Sequence, residues 1–409
     1  MKSINKRKII NDPVYGFINI PYELLFDIIE HPYFQRLRRI KQLGLTFLVY
    51  PGASHTRFQH ALGTMHLMTL AIDILKQKGT IITDKEAEAA CAAILLHDIG
   101  HGPFSHALEN SIIPHCSHEQ LSKLIMHSLN NEMGGKLDLA IELFEGNYQK
   151  KFLHQLITSQ LDVDRLDYLR RDSFFSGVSE GVIGSDRIIK MLEVVDDELV
   201  IESKGIYSIE KFLIARRLMY WQVYLHKTVL ASELMLEKVL KRARELSLMG
   251  INLFASPALK YYLQNNTFED ISRMLNNFVE LDDYDILSAL KEWQKSDDIA
   301  LKTLADGIVN RNIYKIIIDK NTNHYHQISR IKELILSHYK ISEDLIDYFM
   351  FEGEICNNAY NIKDDKINIY KNGIKEDIIL ASDMLNIDVL GKTVKKHYLC
   401  YPKYIHKEL

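Results

Sequence analysis

Residues 95–106 read LLHDIGHGPFSH. The run before it, EAEAACAAILL at 86–96, is built from strong helix formers, so it predicts a helix that Asp84 caps. Gly100, Gly102 and Pro103 then break the helix just past His97-Asp98. An adjacent imidazole and carboxylate at a helix end suit a divalent cation, and the loop that follows presents His101 and His106 beside it.

The surrounding sequence concentrates the same chemistry. Nine of the seventeen histidines fall between positions 55 and 127. A further acidic ligand must come from a distant helix, and QLDVDRLDYLRRD offers Asp162, Asp164, Asp167 and Asp172. Asp164, Tyr168 and Asp172 recur at i, i+4, i+8 and share one helix face. Spacing alone leaves His55, His60 and His66 open as ligands, and Asp162 open beside Asp164.

Helices are predicted from Glu23 through FQRLRRIKQLG to a stop at Gly44, over 57–77, and near 117–131, 136–145, 150–172 and 206–248. Further helices are predicted near 256–264, 267–275, 283–293 and 297–309. Beyond about 310 the pattern changes. IYKIII reads as a strand, helices follow near 326–339 and 342–348, and KINIYKNGIKEDIIL reads as a hairpin turning at Asn372-Gly373. The expected architecture is mainly α, with a catalytic domain over 1–310 and a smaller α+β region over 311–409.

Bulk composition excludes several classes. The chain has 409 residues, 47% of them hydrophobic and 25% charged, an ordinary globular balance. A net charge of -4 leaves no electrostatic footprint for bulk nucleic-acid binding. Cys91, Cys116, Cys356 and Cys400 form no paired motif, which fits a reducing compartment. No apolar run follows MKSINKRKIINDP, and no stretch is long enough to span a membrane. The expectation is a cytoplasmic protein with no membrane partner.

The ordered set INDPVYGFI, FQRLRRIKQLG, PGASHTRFQHALG, HDIGHGPFSH, HE at 118–119 and DVDRLDY at 162–168 resembles the HD-domain phosphohydrolase superfamily. Within it, the set is most similar to the dNTP triphosphohydrolase branch, which includes bacterial enzymes and a mammalian enzyme with an N-terminal SAM domain. The resemblance covers roughly residues 8–310. It implies an all-α HD architecture with His60, His97, Asp98 and Asp164 holding a divalent metal ion (Mn, Fe, Zn, Mg or Ni). It implies hydrolysis of dNTPs to deoxynucleoside and triphosphate.

The remaining site residues follow from the same resemblance. His101, His106, His118 and Glu119 sit over the scissile phosphate. His118 otherwise reads as part of a helix start capped by Ser117. Arg57, Arg165, Arg216 and Lys227 contact phosphates, Tyr168 and Asp172 face the sugar with Tyr224 packed nearby, and Gln42 and Leu43 crowd the 2′ carbon. Arg216, Tyr220, Tyr224 and Lys227 also recur on one face of the long helix expected at 206–248. Lys8, Glu30, Gln35 and Arg38 match a regulatory nucleotide site between subunits, implying a homo-oligomer activated by GTP or a dNTP. Other readings are a nucleotidase or cyclic-nucleotide phosphodiesterase on the same scaffold, or a nucleotide-binding regulator without turnover.

Overall fold

The computed structural model describes residues 8–104, 109–113, 116–319, 325–357, 360, 366–383 and 394–408. Its centre is a helical body in which Arg57–Gln77, Asp84–Leu96 and Val163–Ser176 pack together. Asp84–Leu96 can lie at the middle because its side chains are small. Ala87, Ala89, Ala90, Cys91, Ala92 and Ala93 are all buried, so neighbouring backbones approach closely. Its cap is Thr83, one residue earlier than predicted. The Thr83 hydroxyl accepts from the Glu86 backbone N–H at 3.2 Å, and the Glu86 carboxylate accepts in return from the Thr83 N–H. Asp84 instead supplies negative charge to the first turn.

Three predicted helices are divided. FQRLRRIKQLG forms a short helix, Pro32–Gln35, and a 3₁₀ turn, Arg36–Arg39, after Glu23–Glu30 has ended. Lys41 then bridges to Thr56 as extended chain, because the Lys41 N–H is taken by Asp283 at 2.9 Å and the Gln42 N–H by His55 O at 3.0 Å. The stretch 150–172 splits into Lys151–Ile157 and Val163–Ser176, the second capped by the Asp162 carboxylate. The stretch 206–248 splits into Ile206–Met219 and Lys227–Leu248. Between them Tyr220–Tyr224 winds as a π turn, and the His226 ring caps the new helix by accepting from the Thr228 N–H at 3.2 Å.

Among the described residues the β structure lies in three small sheets. Ile9–Asp12 and Gly16–Asn19 form the first hairpin. Leu192–Val195 and Glu198–Glu202 form another, turning through Asp196 and Asp197, both at positive φ. The predicted hairpin at Asn372-Gly373 is present, pairing Asn368–Lys371 with Ile374–Asp377. It joins the preceding hairpin in parallel, Ile201 opposite Ile369, so one four-stranded sheet draws chain from both sides of residue 310. The third sheet places Val394–Tyr401 between Lys315–Asp319 and Phe351–Asn357. The fold is therefore mainly α with a smaller β-containing C-terminal region. No helix among the described residues is long and apolar enough to cross a membrane.

Candidate metal centre

Thr56 opens the Arg57–Gln77 helix with a capping box to Gln59, which puts His60 on the first turn. His60 is fully buried and meets His97, at the end of Asp84–Leu96, edge to face with ring centroids 5.3 Å apart. Asp164, on the first turn of Val163–Ser176, completes a group whose ligand atoms all lie within 4.8 Å of one another. Asp164 Oδ1 stands 3.0 Å from His60 Nε2 and 3.5 Å from His97 Nε2. Asp98 adjoins this group, its Oδ1 3.3 Å from His97 Nε2, while its other oxygen is taken by Arg57.

The donor set fits a divalent cation. Neither Nε2 makes a hydrogen bond of good geometry to protein, although both are buried. Both Nδ1 atoms are fixed: that of His97 lies 2.6 Å from Ile94 O, and that of His60 lies 2.7 Å from Asp167 Oδ2. Partners on Nδ1 hold the rings so that Nε2 points inward, as in metal-bound histidines. Burial alone would lower the His60 imidazole, but Asp164 and Asp167 outweigh it and hold the ring up at about 10. A cation would take that proton's place. His60 and His97 in turn keep the Asp164 carboxyl well below the usual carboxylate range despite its burial.

Behind His60 runs a buried ionic chain. Arg171 donates to Asp167 at 2.9 and 3.1 Å and to Asp12 at 2.8 Å. Asp12 also accepts from the Val14 and Tyr15 N–H groups, so the N-terminal hairpin is tied to the site. Gly63 is required here, because a Cβ would lie 2.0 Å from Asp167 Oδ1. Asp167 was visible in the sequence as one of four aspartates, but its role as a partner was not. Asp12 and Arg171 lie inside INDPVYGFI and QLDVDRLDYLRRD, but neither was assigned a role from the sequence.

The HD turn is held from three sides. Arg36, fully buried, donates to Ile99 O at 2.7 Å, His101 O at 2.9 Å and Leu281 O at 3.1 Å. Asp283 accepts from the Phe104 N–H and the Lys41 N–H, each at 2.9 Å. Ser122 accepts from the Gly100 N–H at 2.9 Å and donates to His97 O at 2.8 Å. A side chain at Gly100 would meet His118 O at 2.2 Å. The close approach lets His118 stack on His101, ring centroids 4.0 Å apart. Burial and Arg57 push the His101 imidazole well below its ordinary value, although Asp98 opposes them.

These groups open into a cavity of about 420 Å³. Asp98, Asp164, His101 and His118 line one part of it, with Arg57, Arg165 and Arg216 nearby. Nε and Nη1 of Arg216 are buried without a hydrogen-bond partner. Gln42, Leu43, Tyr168, Asp172 and Tyr224 line the rest together with Tyr220 and Glu233. Both Asp172 oxygens are engaged at 2.8 Å, one by His55 Nε2 and one by the Tyr224 hydroxyl. The predicted i, i+4, i+8 face of Asp164, Tyr168 and Asp172 therefore does face the cavity.

Two expected residues stand apart. Lys227 is exposed and outside the cavity lining, because the break after Tyr224 ends the stripe that was to carry it. Glu119 is also outside the lining and accepts from the Ser117 hydroxyl at 3.0 Å, with His118 Nε2 3.8 Å away. Ser117 is indeed the helix cap. His106 lies outside the described residues. Of the residues matched to a regulatory site, Arg38 donates to Gln35 at 2.8 Å and covers the Phe58 ring, while Lys8 covers Phe26, one turn before Glu30.

The HD domain profile matches residues 57–172, and the HD associated region matches 183–256. A phosphohydrolase structure from Bacteroides thetaiotaomicron is 56% identical, with a TM-score of 0.93, covering 97% of this chain and 100% of that one. The chain belongs to the HD-domain phosphohydrolase family. Protein YwfO of Bacillus subtilis is similar to this HD phosphohydrolase at 32% identity, over 98% of this chain and 93% of that protein. A Dictyostelium discoideum homologue of the deoxynucleoside triphosphate triphosphohydrolase SAMHD1 is 31% identical, over 76% of this chain and 60% of its own length. This HD phosphohydrolase is an enzyme with a His/His/Asp cluster capable of coordinating a divalent metal ion.

Proposed function

We propose that this HD phosphohydrolase hydrolyses deoxynucleoside triphosphates to the deoxynucleoside and inorganic triphosphate. The observation that carries the reading is the composition of one cavity: a cation cluster, three guanidinium groups and a pocket of Tyr168, Asp172 and Tyr224. That sequence of groups matches a polyphosphate joined to a sugar. The name of the Dictyostelium relative supports the same substrate class.

A divalent cation held by His60, His97, Asp98 and Asp164 would neutralise phosphate charge and lower the pKa of bound water. Arg57, Arg165 and Arg216 hold phosphate oxygens, guanidinium being suited to paired hydrogen bonds with them. Water adds to the α-phosphorus, the bond to O5′ breaks, and a proton reaches the nucleoside oxygen. His101 and His118 carry that proton work, with His106 and Glu119 assigned to the same task. Asp172, pinned by His55 and Tyr224, receives the sugar hydroxyl beside Tyr168. Gln42 and Leu43 crowd the 2′ position and exclude ribose.

The test is incubation with each dNTP and Mn²⁺ or Mg²⁺, with separation of triphosphate from pyrophosphate and phosphate. Triphosphate is expected, and dNTPs should outpace rNTPs by a margin that Leu43→Gly narrows. Release of pyrophosphate or phosphate alone would point to another HD reaction, and an unchanged ratio would move the sugar pocket elsewhere. The cluster of Lys8, Glu30, Gln35 and Arg38 is proposed as a regulatory nucleotide site. Turnover and mass by light scattering, with and without GTP, test it.

A further inference from the structure

The two imidazoles of the cluster are held in different ways. His97 Nδ1 lies 2.6 Å from Ile94 O, one turn back on its own helix, so that ring is fixed locally. His60 Nδ1 lies 2.7 Å from Asp167 Oδ2 on another helix, and that carboxylate is itself held. Arg171 donates to it through Nε at 2.9 Å and through Nη2 at 3.1 Å, one bond to each oxygen, which fixes the carboxylate plane. Its remaining nitrogen, Nη1, donates to Asp12 Oδ2 at 2.8 Å. All four residues are buried, so solvent does not take over a lost bond.

The chain ends on the N-terminal hairpin. Asp12 Oδ1 accepts from the Val14 N–H at 2.9 Å and the Tyr15 N–H at 3.0 Å, closing the turn. The Tyr15 ring lies over the Arg171 guanidinium, 5.6 Å from it. Each strand of the hairpin buries one residue, Asp12 in the first and Ile18 in the second, while Ile9 and Phe17 face outward. With so little apolar burial, the pair of Asp12 with Arg171 is a main tether of the hairpin. It also sets the charge behind His60. Two carboxylates against one guanidinium leave net negative charge there, which favours a cation in front of the ring. Without the Asp12 charge that excess is gone.

We propose that Asp12 and Arg171 are positioning residues for the metal ligand His60, so that docking of the N-terminal hairpin and cation binding at the cluster reinforce each other. The coupling runs through His60 alone, since His97 is anchored within its own helix. It is independent of which nucleotide is hydrolysed. Because coupling is reciprocal, a cation must hold the hairpin down by about as much as the docked hairpin tightens the cation.

The experiment titrates metal-free, full-length protein with Co²⁺, followed by visible absorption, in the wild type, Asp12→Asn, Arg171→Lys and Glu86→Gln. An asparagine still accepts from the Val14 and Tyr15 N–H groups, so the turn survives while the charge is lost. A lysine cannot bridge Asp167 and Asp12 as the planar guanidinium does. Both variants should bind Co²⁺ about 10–100-fold more weakly, with shifted absorption bands. Glu86→Gln breaks a buried carboxylate network remote from His60 and should bind Co²⁺ like the wild type. The second measurement needs no variant: hydrogen exchange in Ile9–Asn19 should slow on adding Co²⁺, while Val394–Tyr401 exchanges at an unchanged rate. Unaltered Co²⁺ affinity in Asp12→Asn would overturn the proposal. So would an equal loss in Glu86→Gln, or hairpin exchange indifferent to Co²⁺. A wild type that binds no Co²⁺ would refute the metal centre and this coupling with it, whereas failure to hydrolyse dNTPs would refute only the substrate reading.

Discussion

Around the metal cluster charged side chains are buried in linked pairs, whereas beyond Asn310 burial is mostly aromatic and aliphatic. In the first region Asp12, Arg171, Asp167 and His60 form a continuous chain with almost no exposure. In the second, Tyr339 packs on Phe349 at 4.3 Å, Tyr404 stacks on His338 at 4.0 Å, and Tyr314 lies 5.8 Å from Phe351. Ion pairs there, such as Lys395 with Glu354 at 2.6 Å, are about half exposed on both sides. Buried charge costs desolvation that only near-complete pairing offsets. The metal region bears this cost because the rings and carboxylates must already be aimed when the cation arrives. The C-terminal region has no such demand and packs in the ordinary way.

The comparison is sharpest at the ligands. His97→Ala or Asp164→Ala should lower turnover by ~1,000-fold or more, while the circular dichroism spectrum and unfolding midpoint stay close to wild type. Retained turnover in a metal-stripped Asp164→Ala protein would break the assignment of function to this cluster. Gly63→Ala comes next. It drives a methyl group into Asp167 and Arg171, so stability should fall by about 3–5 kcal/mol, the cost of breaking a buried pair. Metal affinity should fall about 10–100-fold through the loosened His60 ring. Denaturant unfolding and metal titration measure the two effects, and a neutral result would mean the chain is not rigid.

Glu86 tests paired burial away from the metal. Burial would raise its carboxyl, but Lys150, Thr83 and Tyr148 outweigh it and hold the group down at about 2. The folded value lies below the unfolded one, so its contribution is full above about pH 5 and is lost as pH falls toward 2. Wild type should lose up to about 3 kcal/mol from this group over that range. Glu86→Gln should start less stable near neutrality and show a shallower acid limb. Parallel limbs would remove the carboxylate from the account. The smallest effect is expected at Lys395→Ala, whose partner is solvated, with an unfolding midpoint equal to wild type within error. A clear drop there would show that the sheet depends on ion pairs after all.

The two regions also differed in legibility. The helix into His97-Asp98, the Asn372-Gly373 hairpin and the shared face of Asp164, Tyr168 and Asp172 follow from local chemistry, and all are present. The hairpin at Leu192–Glu202 was missed, though Asp196-Asp197 between alternating apolar runs was its signal. The break at Tyr220–Tyr224 could not be read, because YWQVYLHK carries neither proline nor glycine. Lys227, which follows that break, is exposed and does not line the cavity.

Local sequence determined the donor types, the helix caps and the spacing that puts an imidazole beside a carboxylate. It could not choose among His55, His60 and His66. Tertiary structure decided that by supplying different partners. His60 meets Asp167 through Nδ1, which frees Nε2 for the cluster, while His55 spends Nε2 on Asp172 and His66 packs against Tyr15. Asp167 lies 107 residues from His60, and Asp12 lies 159 from Arg171. No periodicity spans such separations. They are set where helices cross, and there the direction of one ring nitrogen separates a ligand from a supporting residue.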